Sequence, residues 1–157
     1  MNTPYVFLKQ GAVFRLAVIA FFSLLLGASN WSAPEDVYLV PEAQQELPNR
    51  PPRGKHEKIL LILKNMESSP YQFERNSNLH SGREAAKHLR WKYRLALRRI
   101  KKVEHFIEGI ATRSIASGEV YMVRVSPEEA YPLRDILYNE LRRIEKLEKQ
   151  KVKNSDE

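Results

Sequence analysis

Arg75, Arg113, Ser114, Ser117 and Gly118 have types suited to one task, holding a small anion. Two hydroxyls and a glycine amide in a turn can donate to a carboxylate or phosphate, and guanidinium groups add charge. The arrangement requires the chain near Arg75 to lie beside the Ser114–Gly118 turn; an ion pair bracing Arg75 is the plainer alternative. His80, Glu84 and His88 recur every four residues, which would stack three metal ligands on one helix face. Ser81 and Glu84 have capping-box spacing, however, and that places His80 outside the helix. No metal or other cofactor is expected. Ser114, Ser117, His88, His105 and Asp135 hold the types of a hydrolytic triad. Neither serine sits in a Gly-x-Ser-x-Gly elbow, and capping of a helix end accounts for both. A hydrolase is the least favoured reading, and the chain is not expected to be an enzyme.

A second chemistry is diffuse. Arg90, Lys92, Arg94, Arg98, Arg99, Lys101 and Lys102 place seven cations within residues 90–102, with no acid between them and with Trp91 and Tyr93 interleaved. In a cytosolic protein this basic surface would suit nucleic acid. Outside the inner membrane the available polyanions are lipid head groups, lipopolysaccharide and cell-wall polymers. A solvated helix face is the plain alternative, since helical periodicity turns these side chains in several directions. The whole chain of 157 residues carries a formal charge of +7, which favours anionic partners without choosing among them. The absence of cysteine excludes disulfides, a thiolate nucleophile, a thiolate zinc site and a lipidated N-terminal cysteine.

The N-terminus decides between these settings. Lys9 and Arg15 precede an uncharged apolar run, Leu16 to Gly27, and the small residues Ala28 and Ser29 follow. This is the pattern of a secretory signal, and the run is shorter than the roughly 20 residues a spanning helix needs. Residues 1–29 are therefore expected to be a signal peptide cleaved near Ser29, with an uncleaved anchor as the alternative. The expected location is periplasmic or secreted.

Residues 30–54 contain Pro34, Pro41, Pro48, Pro51 and Pro52 and are expected to form a flexible linker, apart from a short apolar patch at Val37–Val40. From Lys55 the pattern becomes periodic. Ile59, Leu60, Ile62, Leu63 and Met66 predict a helix that Pro70 ends. Tyr71, Phe73 and Arg75 alternate with polar residues as a short strand, and Asn76-Ser77-Asn78 is turn chemistry. Ser81 opens a helix whose inner face uses Ala85, Leu89, Tyr93, Ala96 and Ile100. Val103, Phe106, Ile107 and Ile110 continue as a third helix that stops at Ser117-Gly118. Val120–Val125 is the strongest strand. Ser126-Pro127-Glu128-Glu129 reads as a helix start, restarted at Pro132, and Leu133, Leu137, Leu141, Ile144 and Leu147 form its apolar stripe. The expectation is a small α+β domain over 55–150, mostly helical, with about four helices and a minimal two-stranded sheet. Residues 151–157 are expected to be a disordered tail.

Several stretches carry a family likeness. Glu84-Ala85-Ala86-Lys87-His88-Leu89 followed by Lys92-Tyr93, then Val103-Glu104-His105-Phe106-Ile107, and the run Ala111 to Tyr121 resemble the YfeK-like family of small exported bacterial proteins. Phe73-Glu74-Arg75-Asn76 stands where that family has a Phe-x-Arg-Asn turn. The resemblance covers about Ile59 to Leu147. This chain departs from it at Tyr71, where relatives often carry cysteine, and at Ser77, where they tend to have glycine. The resemblance implies export and a compact, mostly helical fold, and it implies no reaction. The reading is an exported, non-enzymatic binding or accessory module with anionic envelope components as possible partners. A nucleic-acid-binding protein acting through residues 90–102 is the alternative.

Overall fold

A computed structural model describes residues 32–41, 50 and 52–153. The expected signal segment and cleavage position lie outside these residues, as do the last four of the expected tail. The first helix, α1 (Gly54–Glu67), buries Ile59, Ile62, Leu63 and Met66 and leaves Leu60 facing outward. No side chain caps it at Arg53. Instead Glu57 accepts from the Arg53 amide at 2.7 Å and from both terminal nitrogens of Arg50 at 2.7 and 3.1 Å. The Arg50 hydrogen bonds, with the Arg53 amide second, draw the Glu57 carboxyl down to about 2.

Strand β1 (Gln72–Arg75) turns directly into β2 (Asn78–Ser81), with Arg75 opposite Asn78 and only Asn76-Ser77 between them. Both loop residues have positive φ, 51° and 61°, the geometry of a type I′ hairpin. Helix α2 (Gly82–Ala96) follows with the expected capping box: the Glu84 amide donates to Ser81 Oγ at 3.3 Å, and Glu84 Oε2 accepts from the Ser81 amide at 2.9 Å. Next come a short helix, α3 (Val103–Phe106), and a π-helical turn over Ile107–Ala111. The third helix is thus separate from α2 and ends well before Ser117. Strand β3 (Met122–Arg124), strand β4 (Ala130–Pro132) and helix α4 (Leu133–Lys153) complete the described chain.

The α+β class stands, but the sheet has four antiparallel strands, in the order β2-β1-β3-β4, where two were expected. β1 and β3, the two strands visible in the sequence, pair at its centre. The additions are edge strands. Ser126-Pro127-Glu128-Glu129 is not a helix start. It is the turn joining β3 to β4, closed by the Glu129 amide on Ser126 Oγ at 3.1 Å and the Val125 amide on the Glu129 carbonyl at 3.0 Å. His80, Phe73, Val123 and Tyr131 stand in register across the sheet. Phe73 and Val123 are buried with the inner stripes of α1 and α2 and with Leu133, Ile136, Leu137, Leu141 and Ile144 of α4.

Residues 32–41 do not run free as a linker. Ala33, Leu39 and Val40 are buried in the same core. The Asn139 side-chain amide donates to the Pro34 and Val37 carbonyls at 2.6 and 2.8 Å, and Arg143 donates to Val40 O and covers the Tyr38 ring at 4.3 Å. No helix among the described residues is long and apolar enough to cross a membrane.

Candidate functional site

Arg75 is the last residue of β1 and shares a face with Phe73, so strand alternation aims it toward α2. There His88 and Lys92, one turn apart on α2, meet Tyr121 from the segment before β3. The His88 ring stands edge-on to Tyr121 at 6.5 Å and lies 6.1 Å from Trp91. These residues wall two adjoining cavities. One, of about 410 Å³, is lined by Met66, Phe73, Leu89 and Leu133 with Arg75, His80, Glu84 and His88. The other, of about 470 Å³, adds Asn76, Lys92, Ser114, Ile115 and Ala116. Arg75, His88, Trp91 and Tyr121 line both.

Lys92 was expected on the basic surface, but it is only 6% exposed. Its Nζ donates to the carbonyls of Ile110 and Arg113 and to Tyr121 Oη, and it lies 5.2 Å from the centre of the Tyr121 ring. It thereby supplies donors to carbonyls at the exit of the π-helical turn, where the chain turns away and backbone donors run out. Burial is the main cause that lowers the Lys92 pKa, and Arg75 adds to it. Burial likewise leads in lowering His88, followed by the charges of Arg75, Lys92 and His80. Burial raises the Tyr121 phenol, against the pull of Arg75 and a Ser114 hydrogen bond. The Arg75 side chain forms no ion pair or hydrogen bond among the described residues; its backbone pairs with Asn78 in the hairpin. Neighbouring Glu74 is held by Arg124 at 3.0 Å, and Glu84 by the capping box.

The serine turn is placed beside Arg75's hairpin but is already satisfied. Arg113 and Val120 form an isolated antiparallel bridge. Inside it, the Ser114 amide donates to Glu119 O, the Gly118 amide to Ser114 O and the Ser117 amide to Ser114 Oγ. Ser117 Oγ donates to Asn76 Oδ1 at 2.7 Å, tying the turn to the hairpin. The amides of Ser114, Ser117 and Gly118 are therefore engaged, and Gly118 answers to its φ of 75°. From this turn Ser114, Ile115 and Ala116 join Arg75 in the cleft wall; of the expected anion-binding residues, Ser117, Gly118 and Arg113 do not line it. His88, Lys92, Trp91 and Tyr121 complete it. Sequence reading had placed them in the basic run, the expected strand or the metal spacing.

The other patterns are dispersed. Glu84 serves the cap, and no group of three or more His, Asp or Glu among the described residues could hold a metal ion. His105 Nδ1 accepts from the Lys101 amide, Asp135 contacts Arg134 and the Ala33 amide, and Ser117 points to Asn76, so the triad types are not assembled. The basic run is divided as well. Arg90 pairs with Glu67 at 3.2 Å and Lys92 is internal, leaving Arg94, Arg98, Arg99, Lys101 and Lys102 exposed.

Fold and site together define a small α+β domain with a cation-lined, aromatic-walled cleft between an antiparallel sheet and its second helix. Residues 53–145, more than half of the chain, match the model of a family of unknown function, DUF5329, and the chain belongs to that family. No curated protein and no solved structure matches it significantly.

Proposed function

We propose that this protein is an exported, non-enzymatic binding module whose cleft receives an anionic group carried on an apolar body. The observation that carries the reading is Arg75, a guanidinium with no acid partner among the described residues, facing His88 and Lys92 across apolar and aromatic walls. Arg75 is half-buried against these apolar walls, and a ligand carboxylate or phosphate would provide the compensating charge it lacks. Phe73, Trp91, Tyr121 and Met66 would hold the apolar remainder. Export is supported by the charge and apolar pattern of residues 1–29 and by the YfeK-like resemblance. Mass analysis of the envelope fraction should find a chain beginning near Asn30; an intact Met1 confined to the cytosol would overturn export.

For the cleft, calorimetry with dodecanoate should detect binding that Arg75→Gln weakens by about tenfold or more, the size of a lost charged hydrogen bond. Arg98→Gln, outside the cleft, should leave it unchanged. Equal affinity in wild type and Arg75→Gln, or no binding of dodecanoate, refutes the reading.

A further inference from the structure

We infer that the domain also docks on anionic lipid surfaces, through an apolar patch with a basic rim at the far end of α2. The patch is separate from the core and goes beyond the cleft reading. An open groove of about 1030 Å³ is lined by Trp91, Leu95, Leu97, Arg98, Arg99 and Ile115. Trp91 is 52% exposed, Leu95 71%, Leu97 47% and Ile115 85%. Four large apolar side chains lining one groove in solvent form a patch, whereas the other large hydrophobics exposed among the described residues, Leu60, Leu79 and Val120, do not line it. Arg94, Arg98 and Arg99 surround them, and none of these three has an ion pair among the described residues. Glu108, the acid in the groove wall, is occupied by Arg134 and Tyr138.

Aliphatic anchors beside arginines, with a tryptophan at the margin, suit one surface chemistry. Leucine and isoleucine enter the acyl boundary, the indole rests at head-group level, and guanidinium groups meet lipid phosphates. Single-stranded nucleic acid fits less well, because three of the four anchors offer no ring for a base to stack on. A second copy of the chain fits less well too, because a two-fold contact would set this arginine rim against itself.

The test follows Trp91 itself, so that any membrane contact made by residues 1–29 does not enter the readout. In full chain carrying Trp31→Phe, Trp91 emission is measured with vesicles of phosphatidylglycerol and phosphatidylcholine in equal parts, and with phosphatidylcholine alone. Lipids brominated on the acyl chains serve as quenchers. The expected result is a blue shift and quenching that require phosphatidylglycerol and fade with salt. Arg98→Gln with Arg99→Gln should weaken partitioning about 25-fold, about fivefold for each ~1 kcal/mol charge. Leu95→Gln with Leu97→Gln, which line the groove but not the cleft, should abolish quenching at an unchanged thermal midpoint and leave dodecanoate binding intact, which separates this patch from the cleft.

No shift with the anionic vesicles at low salt overturns the proposal. So does Trp91 emission already shielded from acrylamide before vesicles are added, which would mean that another part of the chain covers the patch. Binding of an oligothymidylate without any lipid quenching would assign the surface to nucleic acid instead. A dimer that depends on Leu95 and Leu97 would assign it to self-association.

Discussion

Arg75, His88 and Lys92 face one another in the cleft, and they are accommodated unequally. Lys92 gives its protons to carbonyls and lies against a ring, whereas Arg75 has no such receivers. His88 responds by holding its neutral form: burial first, then the neighbouring charges, lowers its pKa from the ordinary 6.5. The unfolded chain keeps the ordinary value and binds a proton that the native state resists. Stability from this source is therefore present above pH 6.5 and is lost as pH falls below it. Glu57, Glu84 and Glu108, all lowered, lose stability in the same direction, but only below their ordinary 4.5. The thermal midpoint should accordingly begin to fall between pH 6.5 and about pH 5, and His88→Gln should remove that early part alone. A midpoint flat over this window, or a fall that His88→Gln leaves untouched, would refute the assignment. Lys92 itself was partly legible: it lies three residues after Leu89 and seven after Ala85, on the stripe that marks the inner face of α2. Its carbonyl receivers were not legible, because Ile110 belongs to a π-helical turn of a later segment and Arg113 to the chain just after it, and no local period encodes them.

The elements differ in how openly they announce themselves. Helix α2 was marked by its capping box and α4 by its apolar stripe, while β1 and β3 alternate around Phe73 and Val123. The edge strands left no such trace. β2 offers one apolar residue, Leu79, and it is 53% exposed, so period-two patterning has nothing to work on. β4 is announced by two acids and two prolines, the chemistry of a helix start, and only its pairing with β3 makes it a strand. Two positions follow from this geometry and can be tested by denaturant midpoint. Ser77 holds φ at 61°, a left-handed conformation that favours glycine. Ser77→Gly should stabilise by about 0.5 kcal/mol, the relieved strain outweighing the added unfolded-chain entropy. Gly82 is the opposite case. A Cβ there would stand 2.2 Å from the Met66 carbonyl oxygen and 3.3 Å from the Phe73 ring, because the first turn of α2 packs directly on the end of α1. Gly82→Ala should cost about 3 kcal/mol or more, since backbone must move to admit a methyl group. A neutral Gly82→Ala would show that the two helices do not approach so closely.

At the scale of the molecule, the folded unit extends upstream of the periodic sequence. Five prolines in residues 30–54 suggest a chain without secondary structure, and residues 32–41 do form neither helix nor strand. What proline removes is the backbone ladder; it does not prevent side chains from packing. Leu39 is fully buried and Val40 nearly so, and the carbonyls of Pro34, Val37 and Val40 are met by the side chains of Asn139 and Arg143 instead of by backbone amides. That substitution could not be foreseen in α4, where Asn139 and Arg143 look like ordinary polar positions of an amphipathic helix. Arg143 also pairs with Glu140, which is completely buried and accepts from Asn65 of α1, so the docked segment lies over a polar junction between the first and last helices. A chain beginning at Gly54 would expose Leu39's and Val40's share of the core, worth about 1.5–3 kcal/mol for each side chain. It would also leave Asn139 without its acceptors, at about 1–3 kcal/mol more. Against a total stability of about 5–15 kcal/mol this is a large fraction, and the thermal midpoint should fall by about 15 °C relative to a chain beginning at Trp31. Circular dichroism melts of the two chains decide the matter: coincident midpoints would mean that residues 32–41 rest on the domain without stabilising it.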